Sequence, residues 1–208
     1  DLKEIKYSGI KNITKDDIFF SDRLGFRIKP LGICSLEENN IRLLVSPFLI
    51  SKKKELSSVN DNLNAIIIYY NEKNKNILLG EGAGGSATAI SVVSDLLNLS
   101  NNTISEFMYG VSHKKLKKKK ICSNLESSNF FYIRVKVYDK SGAIAAITAI
   151  LKNYKISIKS LFQEQINKKF FNVVILTHKC KGDLINKVTL KLNNCDFVKE
   201  NAMIMQVL

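Results

Sequence analysis

The chain has 208 residues, 45% of them hydrophobic and 25% charged. This balance excludes a disordered polymer and leaves room for one large or two small cores. The formal charge is +13, yet only four of the 32 basic residues are Arg, so the bidentate forks that base readout favours are scarce. Lys, Asn and Ile are abundant together, as an AT-rich genome would produce. Neither a nucleic-acid partner nor a membrane partner is expected, since no apolar run reaches the length of a span.

The opening DLKEIKYSGI has no apolar signal segment and no initiator Met, so a cytoplasmic piece of a longer protein is expected. The four cysteines, Cys34, Cys122, Cys180 and Cys195, show no C-x-x-C spacing and no His placed to complete a zinc set. They are expected to be reduced thiols, with no metal site.

In chain order, Thr14 and Asp17 form a capping box for a short helix over about 15–24, and Gly25 suits its C′ position. Arg27–Leu36 and Ile41–Leu49 are predicted strands joined by the turn-like EENN. Pro30 and Pro47 push parts of them to edges or bulges. Lys52–Val59 is a polar connection. Asn64–Tyr70 and Asn76–Leu79 form a predicted hairpin. A glycine-rich turn follows, then a helix from Ser86 to about Leu99. Its polar residues Thr88, Ser91, Asp95 and Asn98 make one narrow stripe, so most of this helix is expected to be buried.

Residues 101–128 read as a basic linker around HKKLKKKK, which holds six lysines in eight residues. Such a block repels itself and stays solvated. Periodicity then restarts. Phe130–Tyr138 alternates as a strand, and Ala143–Tyr154 places Ile144, Ile147, Leu151 and Tyr154 on one helical face. Ile156–Gln163 and Phe170–Thr177 are strands, Asp183–Leu192 a second amphipathic helix, and Ala202–Leu208 a last strand. The order βαββαβ is the ferredoxin-like pattern. The expected fold class is α+β: a mixed or antiparallel sheet with helices, followed by this ferredoxin-like unit. The expected division is 1–100, 101–128 and 129–208.

Gly80-Glu81-Gly82-Ala83-Gly84-Gly85 satisfies G-x-G-x-x-G. A Rossmann fold needs more: a βαβ unit and an acidic residue at the end of the next strand. Glu106 lies at a tolerable distance, but no strong strand leads to it, and the preceding strand comes from a hairpin. The stand-alone Rossmann reading is therefore rejected. The turn still opens a helix, whose free N–H groups favour a polar or anionic group, and its glycines permit positive φ and close approach.

Several stretches resemble homoserine dehydrogenases in order. GEGAGGSATAISVVSDLLNL is similar to that family's G-x-G-A-G-G-x-P-T-A turn and Val-Val-x-Asp-Leu helix. YSGIKNITKDDIFFSDRLGFRIKPLGIC resembles its G-I-x-x-I-T-x-x-D-I and L-G-Y-x-I-K-L-L-G-I stretches, and LLVSPFLISKKKELSSVNDNLNAI its H-P-x-L-I-P segment. FFYIRVKVYDKSGAIAAITAIL and VVILTH look like parts of an ACT domain. The resemblance implies the carboxyl-terminal part of an enzyme that interconverts L-aspartate 4-semialdehyde and L-homoserine with NADP or NAD. The Rossmann domain and catalytic Lys would lie before residue 1, so no catalytic residue is named and this stretch alone is expected to be inactive. It also implies cofactor contacts at Gly84, Gly82, Ala83 and Gly85, and an effector site, plausibly for threonine, at Asp139, Gly142 and Ala143. A homo-oligomer is implied too.

The departures are Ala87 for the family's Pro, Ser46 for its His, and Ser141 in place of the Pro of D-x-P-G. His178 matches the family's T-H and is read as a strand-end structural residue. The alternative is a free-standing amino-acid-sensing module without catalysis.

Overall fold

A computed structural model describes residues 5–37, 40–71, 73–101, 107–108, 111–112, 119–121 and 128–208. The elements are β1 (Lys6–Tyr7), α1 (Lys15–Arg23), β2 (Phe26–Glu37), β3 (Asn40–Ser51), a 3₁₀ turn (Glu55–Ser58), β4 (Leu63–Tyr69), β5 (Lys75–Glu81) and α2 (Gly85–Ser100). There follow β6 (Phe107–Met108), β7 (Val111–Ser112), β8 (Lys120–Ile121), β9 (Ser128–Tyr138), α3 (Ala143–Asn153), β10 (Ile158–Asn167) and β11 (Phe170–Thr177). The chain ends with β12 (Cys180–Lys181), α4 (Gly182–Asn193) and β13 (Met203–Val207). Two compact units result, one of residues 1–57 and 120–208, the other of residues 58–119.

The first unit is built on a sheet with the order β1-β3-β13-β9-β11-β10. Its carboxyl-terminal portion has the expected βαββαβ order, β9-α3-β10-β11-α4-β13, with β9 central between β13 and β11. β3 then continues this sheet by pairing in parallel with β13, Phe48 opposite Gln206 and Leu49 opposite Val207. The packing thus joins residues from both sides of the expected linker in one sheet.

Strand alternation splits the side chains of β9 and β11 between two faces. Phe131, Ile133, Val135 and Val137 pack with Phe171, Val173 and Ile175 against Ala143, Ile147 and Leu151 of α3 and Ile185, Val188 and Leu192 of α4. The opposite face presents Tyr132, Val174, Leu176 and Met205 to Phe20 of α1, with Leu49 in the same cluster. Both faces of the ferredoxin-like sheet are therefore covered within this unit.

Helix α1 starts where Thr14 and Asp17 cap it reciprocally, as the sequence predicts, and ends before Gly25 with φ +81. β2 and β3 pair along their whole lengths, and Pro30 faces Pro47 in that register. Pro30 sits in β2, an edge strand. Pro47 lies between the β3 residues that pair with β1 (Leu44, Val45) and those that pair with β13 (Phe48, Leu49). The missing N–H of each proline is thereby tolerated.

The second unit holds the antiparallel β4–β5 hairpin, with Ile66 opposite Leu78 and Ile67 opposite Ile77, then α2 and the short β6–β7 pair. Here one expectation fails. No residue of α2 is buried, and Ile90, Val92, Val93, Leu96, Leu97 and Leu99 are each more than half exposed. The apolar arc is present in the sequence, but the described residues of this unit offer no surface to cover it. Of the lysine block, residues 113–118 lie outside the described residues, as do Glu106 and Cys122, while Lys120–Ile121 pairs in parallel with β3.

Candidate functional site

The glycine turn is fixed at its base. The N–H of Gly82 donates to the carbonyl of Asn62 (2.7 Å), and the Asn62 side-chain amide donates to the carbonyl of Ala83 (3.2 Å). Gly84 is the N-cap of α2 with φ +128 and ψ 155, a conformation essentially restricted to glycine. Its carbonyl accepts from both the N–H (3.0 Å) and the hydroxyl (2.9 Å) of Thr88. No side chain caps the first N–H groups of α2, so these donors and the positive end of the helix dipole stay available.

The glycines differ in their surroundings. A Cβ on Gly82 would meet the far end of the exposed Asn64 side chain, which can turn aside. A Cβ on Gly84 or Gly85 would meet nothing within 4 Å. Gly82 through Gly85 are all exposed, so the turn is held from below and open above. An antiparallel hairpin precedes it, in keeping with the rejection of the Rossmann reading.

The second predicted site is the turn after β9. Asp139 donates its N–H to the carbonyl of Lys169 (3.0 Å), and Ala143 donates to that of Lys140 (3.2 Å). Gly142 caps α3 from the left-handed region, φ +86. Asp139 and Gly142 are exposed, whereas Ala143 is a core residue at 3% exposure. The segment after α4 lies along this turn. The carbonyl of Phe197 accepts from the N–H of Tyr138 (2.9 Å), and Asp196 lies 3.6 Å from the Lys140 ammonium. His178 is exposed at the end of β11, where its N–H donates to the carbonyl of Ser157 (2.8 Å).

A third cluster escaped the sequence reading. Arg134 on β9 grips Asp17 of α1 with two hydrogen bonds, Nε to Oδ1 (2.6 Å) and Nη2 to Oδ2 (3.0 Å). The Tyr132 hydroxyl donates to the same carboxylate (3.1 Å), as do the N–H and hydroxyl of Thr14 (2.9 Å each). Arg134 reaches Glu200 through Nη1 (3.2 Å), and Asn172 donates to Asp16 (3.0 Å). Asp17 is 0% and Arg134 3% exposed. Burial works against the guanidinium's charge, but the hydrogen bonds and charge of Asp17, then Glu200, more than offset it, so its pKa lies above the ordinary value. Burial, then the negative charge of Asp17, pushes the Tyr132 phenol well above its ordinary value. The signal in the sequence was thin: Arg134 is the sole Arg of residues 129–208, and it falls on the same strand face as Tyr132.

A shallow groove of about 200 Å³ lies between α1 and the start of β2, lined by Ile18, Ser21, Asp22, Phe26 and Arg27 among others. None of the predicted site residues lines it. Among the described residues no group of His, Cys, Asp and Glu could hold a metal ion. No described helix is long and apolar enough to cross a membrane.

These features define an α+β chain with a capped glycine turn and a ferredoxin-like sheet extended by strands from earlier in the sequence. Residues 1–97 match the family model described as homoserine dehydrogenase. The chain is 30% identical to the homoserine dehydrogenase of Bacillus subtilis, over 96% of its own length and 47% of the relative's. It is 28% identical to that of Helicobacter pylori, over 99% and 48%. The crystal structure of a homoserine dehydrogenase from Thiobacillus denitrificans superposes with a TM-score of 0.80 at 28% identity, covering 98% of this chain and 47% of that one. The S. aureus enzyme gives 0.61 at 28% identity, over 100% and 48%. Along nearly its whole length the chain is similar to homoserine dehydrogenases, and it spans about half the length of the curated relatives it matches.

Proposed function

We propose that the chain supplies the carboxyl-terminal part of a homoserine dehydrogenase. The whole enzyme would interconvert L-aspartate 4-semialdehyde and L-homoserine using NADP or NAD. The observation that carries this reading is the superposition on the Thiobacillus denitrificans enzyme along 98% of the chain. The nicotinamide cofactor would supply the hydride. Within these residues, the turn from Gly82 to Gly85 would contribute uncapped N–H groups and a tip free of side chains. That surface fits a polar, anionic group brought against it by another domain. Gly84 and Gly85 would make the approach, with Gly82 and Ala83 anchored to Asn62. The exposed apolar arc of α2 fits the same reading, because a part of a larger enzyme leaves faces for the remainder to cover.

Residues 129–208 would form an ACT regulatory domain, with Asp139, Gly142 and Ala143 at an amino-acid effector such as threonine. The division 1–100, 101–128 and 129–208 belongs to this proposal as an assignment of roles along the sequence. Assembly into a homo-oligomer and a cytoplasmic setting belong to it as well.

The test is an assay of NADPH oxidation with L-aspartate 4-semialdehyde, on this chain alone and on it joined to the amino-terminal half of the Bacillus subtilis enzyme. Turnover by the joined protein and none by the chain alone is expected. In the joined protein Gly84→Val should raise the KM for the cofactor at least tenfold. A joined protein that folds and binds NADPH yet never turns over would overturn the reading.

A further inference from the structure

We propose that Asp17, Arg134 and Glu200 form a coupling junction that ties the turn at residues 139–143 to helix α1. A ligand held at that turn would change the stability of α1 through them. This inference rests on the reading of that turn as an amino-acid site.

Three observations carry it. First, the contact is of a kind that stability alone does not explain. A buried ion pair gains little or nothing over well-packed apolar residues, because desolvation consumes the Coulombic attraction. Here the pair is nearly complete in its hydrogen bonding: Asp17 accepts from Arg134, Tyr132 and Thr14. Such a pair has one favoured geometry, since a displaced guanidinium would leave a buried carboxylate short of donors.

Second, Arg134 is held from two sides by segments distant in sequence. Asp17 belongs to α1, while Glu200 follows α4 and also lies 3.7 Å from Lys136. Glu200 ends the same short segment that touches the 139–143 turn. From one end to the other that segment makes Asp196 to Lys140 (3.6 Å), Phe197 to Tyr138 (2.9 Å), a bridge from Val198 to Val137, Lys199 to Lys136 (2.8 Å), and Glu200 to Arg134 (3.2 Å). It is a strap laid along β9. Phe197 holds one end to the residue that enters the turn and Glu200 holds the other to the guanidinium, while the exposed Asp196–Lys140 pair adds little.

Third, α1 has few other attachments to this sheet face that could carry the same information. Phe20 packs non-directionally in the cluster with Tyr132, Val174 and Met205. The pair Arg23–Glu164 is short (2.6 Å) but exposed, hence weak. The Asn172–Asp16 bond lies beside the junction and would move with it.

The test is hydrogen exchange on the full 208-residue chain, with and without saturating L-threonine, for wild type, Glu200→Gln and Asp17→Asn. In wild type, threonine should slow exchange at residues 139–146 and also across Lys15–Arg23, by about fivefold or more at the second site. In both variants the slowing at 139–146 should persist and that across α1 should vanish. Glu200, at 42% side-chain exposure, can be changed without unfolding the core, so it decides the matter if Asp17→Asn does not fold. Protection at the turn with no response of α1 in wild type overturns the junction and leaves the effector reading intact. So does an α1 response that both variants keep. No protection at the turn in wild type overturns the effector reading and the junction with it.

Discussion

The unit of residues 1–57 and 120–208 and the unit of residues 58–119 are both rich in apolar side chains, yet they use them in opposite ways. In the first, α3 carries Ala143, Ile147 and Leu151 at helical spacing, and all three are buried. In the second, α2 carries a comparable apolar arc with no buried residue. The helices obey the same local rules: an N-cap glycine with positive φ, and an apolar face on one side. They differ in what surrounds them. An amphipathic pattern fixes which side of a helix wants cover, and only the rest of the fold, or another chain, decides whether it is covered there.

That comparison breaks most visibly at the buried ion pair. Asp17→Ala leaves the Arg134 guanidinium buried without its main partner, and should cost about 3–5 kcal/mol of unfolding free energy. The paired change Asp17→Leu with Arg134→Met should recover part of it, because charge and counter-charge leave together while the buried Tyr132 hydroxyl and the Thr14 cap lose their acceptor. Urea midpoints with the slopes held in common give both values. A single variant within about 1 kcal/mol of wild type would show that water reaches the site and that the first unit is less tightly sealed than it looks.

The two helices can then be set directly against each other. Leu151→Ala in α3 removes a side chain at 1% exposure and should cost about 2–5 kcal/mol. Leu96→Ala in α2, at 60% exposure, should fall within about 0.5 kcal/mol in this chain. The same Leu96→Ala made after joining the amino-terminal half of a relative should cost markedly more. Equal, small effects in both settings would mean that the arc of α2 meets solvent in the joined protein too.

What the sequence made legible follows the same line. Local features came through: the Thr14–Asp17 capping box, the hairpin of β4 and β5, the βαββαβ order and the alternation of β9. Each depends on residues a few positions apart. The parallel pairing of β3 with β13 did not come through, since nothing in LLVSPFLI or AMIMQVL names the other as its neighbour. Nor did the Arg134–Asp17 contact. A capping aspartate is satisfied locally by Thr14, and an arginine in a strand reads as solvated until its face is known to be covered by α1. The burial of α2 was misjudged for a related reason. The stripe was read correctly, but the partner it implied is not among the described residues of its unit.

The glycine turn offers a smaller but cleaner contrast within the second unit. Gly84 and Gly85 both have open space where a Cβ would go, and only Gly84 has positive φ. Gly84→Ala should therefore destabilise by about 1–3 kcal/mol through backbone strain. Gly85→Ala, in the first turn of a helix, should be neutral or slightly stabilising. Thermal melts of the two variants would distinguish them. Equal effects would mean that the conformation of Gly84 is not held in solution.

The last contrast is in titration. Tyr132 is fully buried against Asp17, whereas Tyr7, Tyr69 and Tyr70 are exposed. Burial and the adjacent carboxylate raise the Tyr132 phenol well above its ordinary value of 10.0. The sign follows from linkage. A group whose pKa is raised by folding contributes its stability fully below the unfolded pKa, and that stability is lost as pH climbs through and beyond it. Ultraviolet titration should therefore show the Tyr132 phenol withheld until the chain unfolds. Tyr132→Phe should remove the withheld phenol and flatten the fall in stability above about pH 10. A wild-type titration in which no phenol is withheld while the fold stays intact would mean that α1 does not seal this face of the sheet.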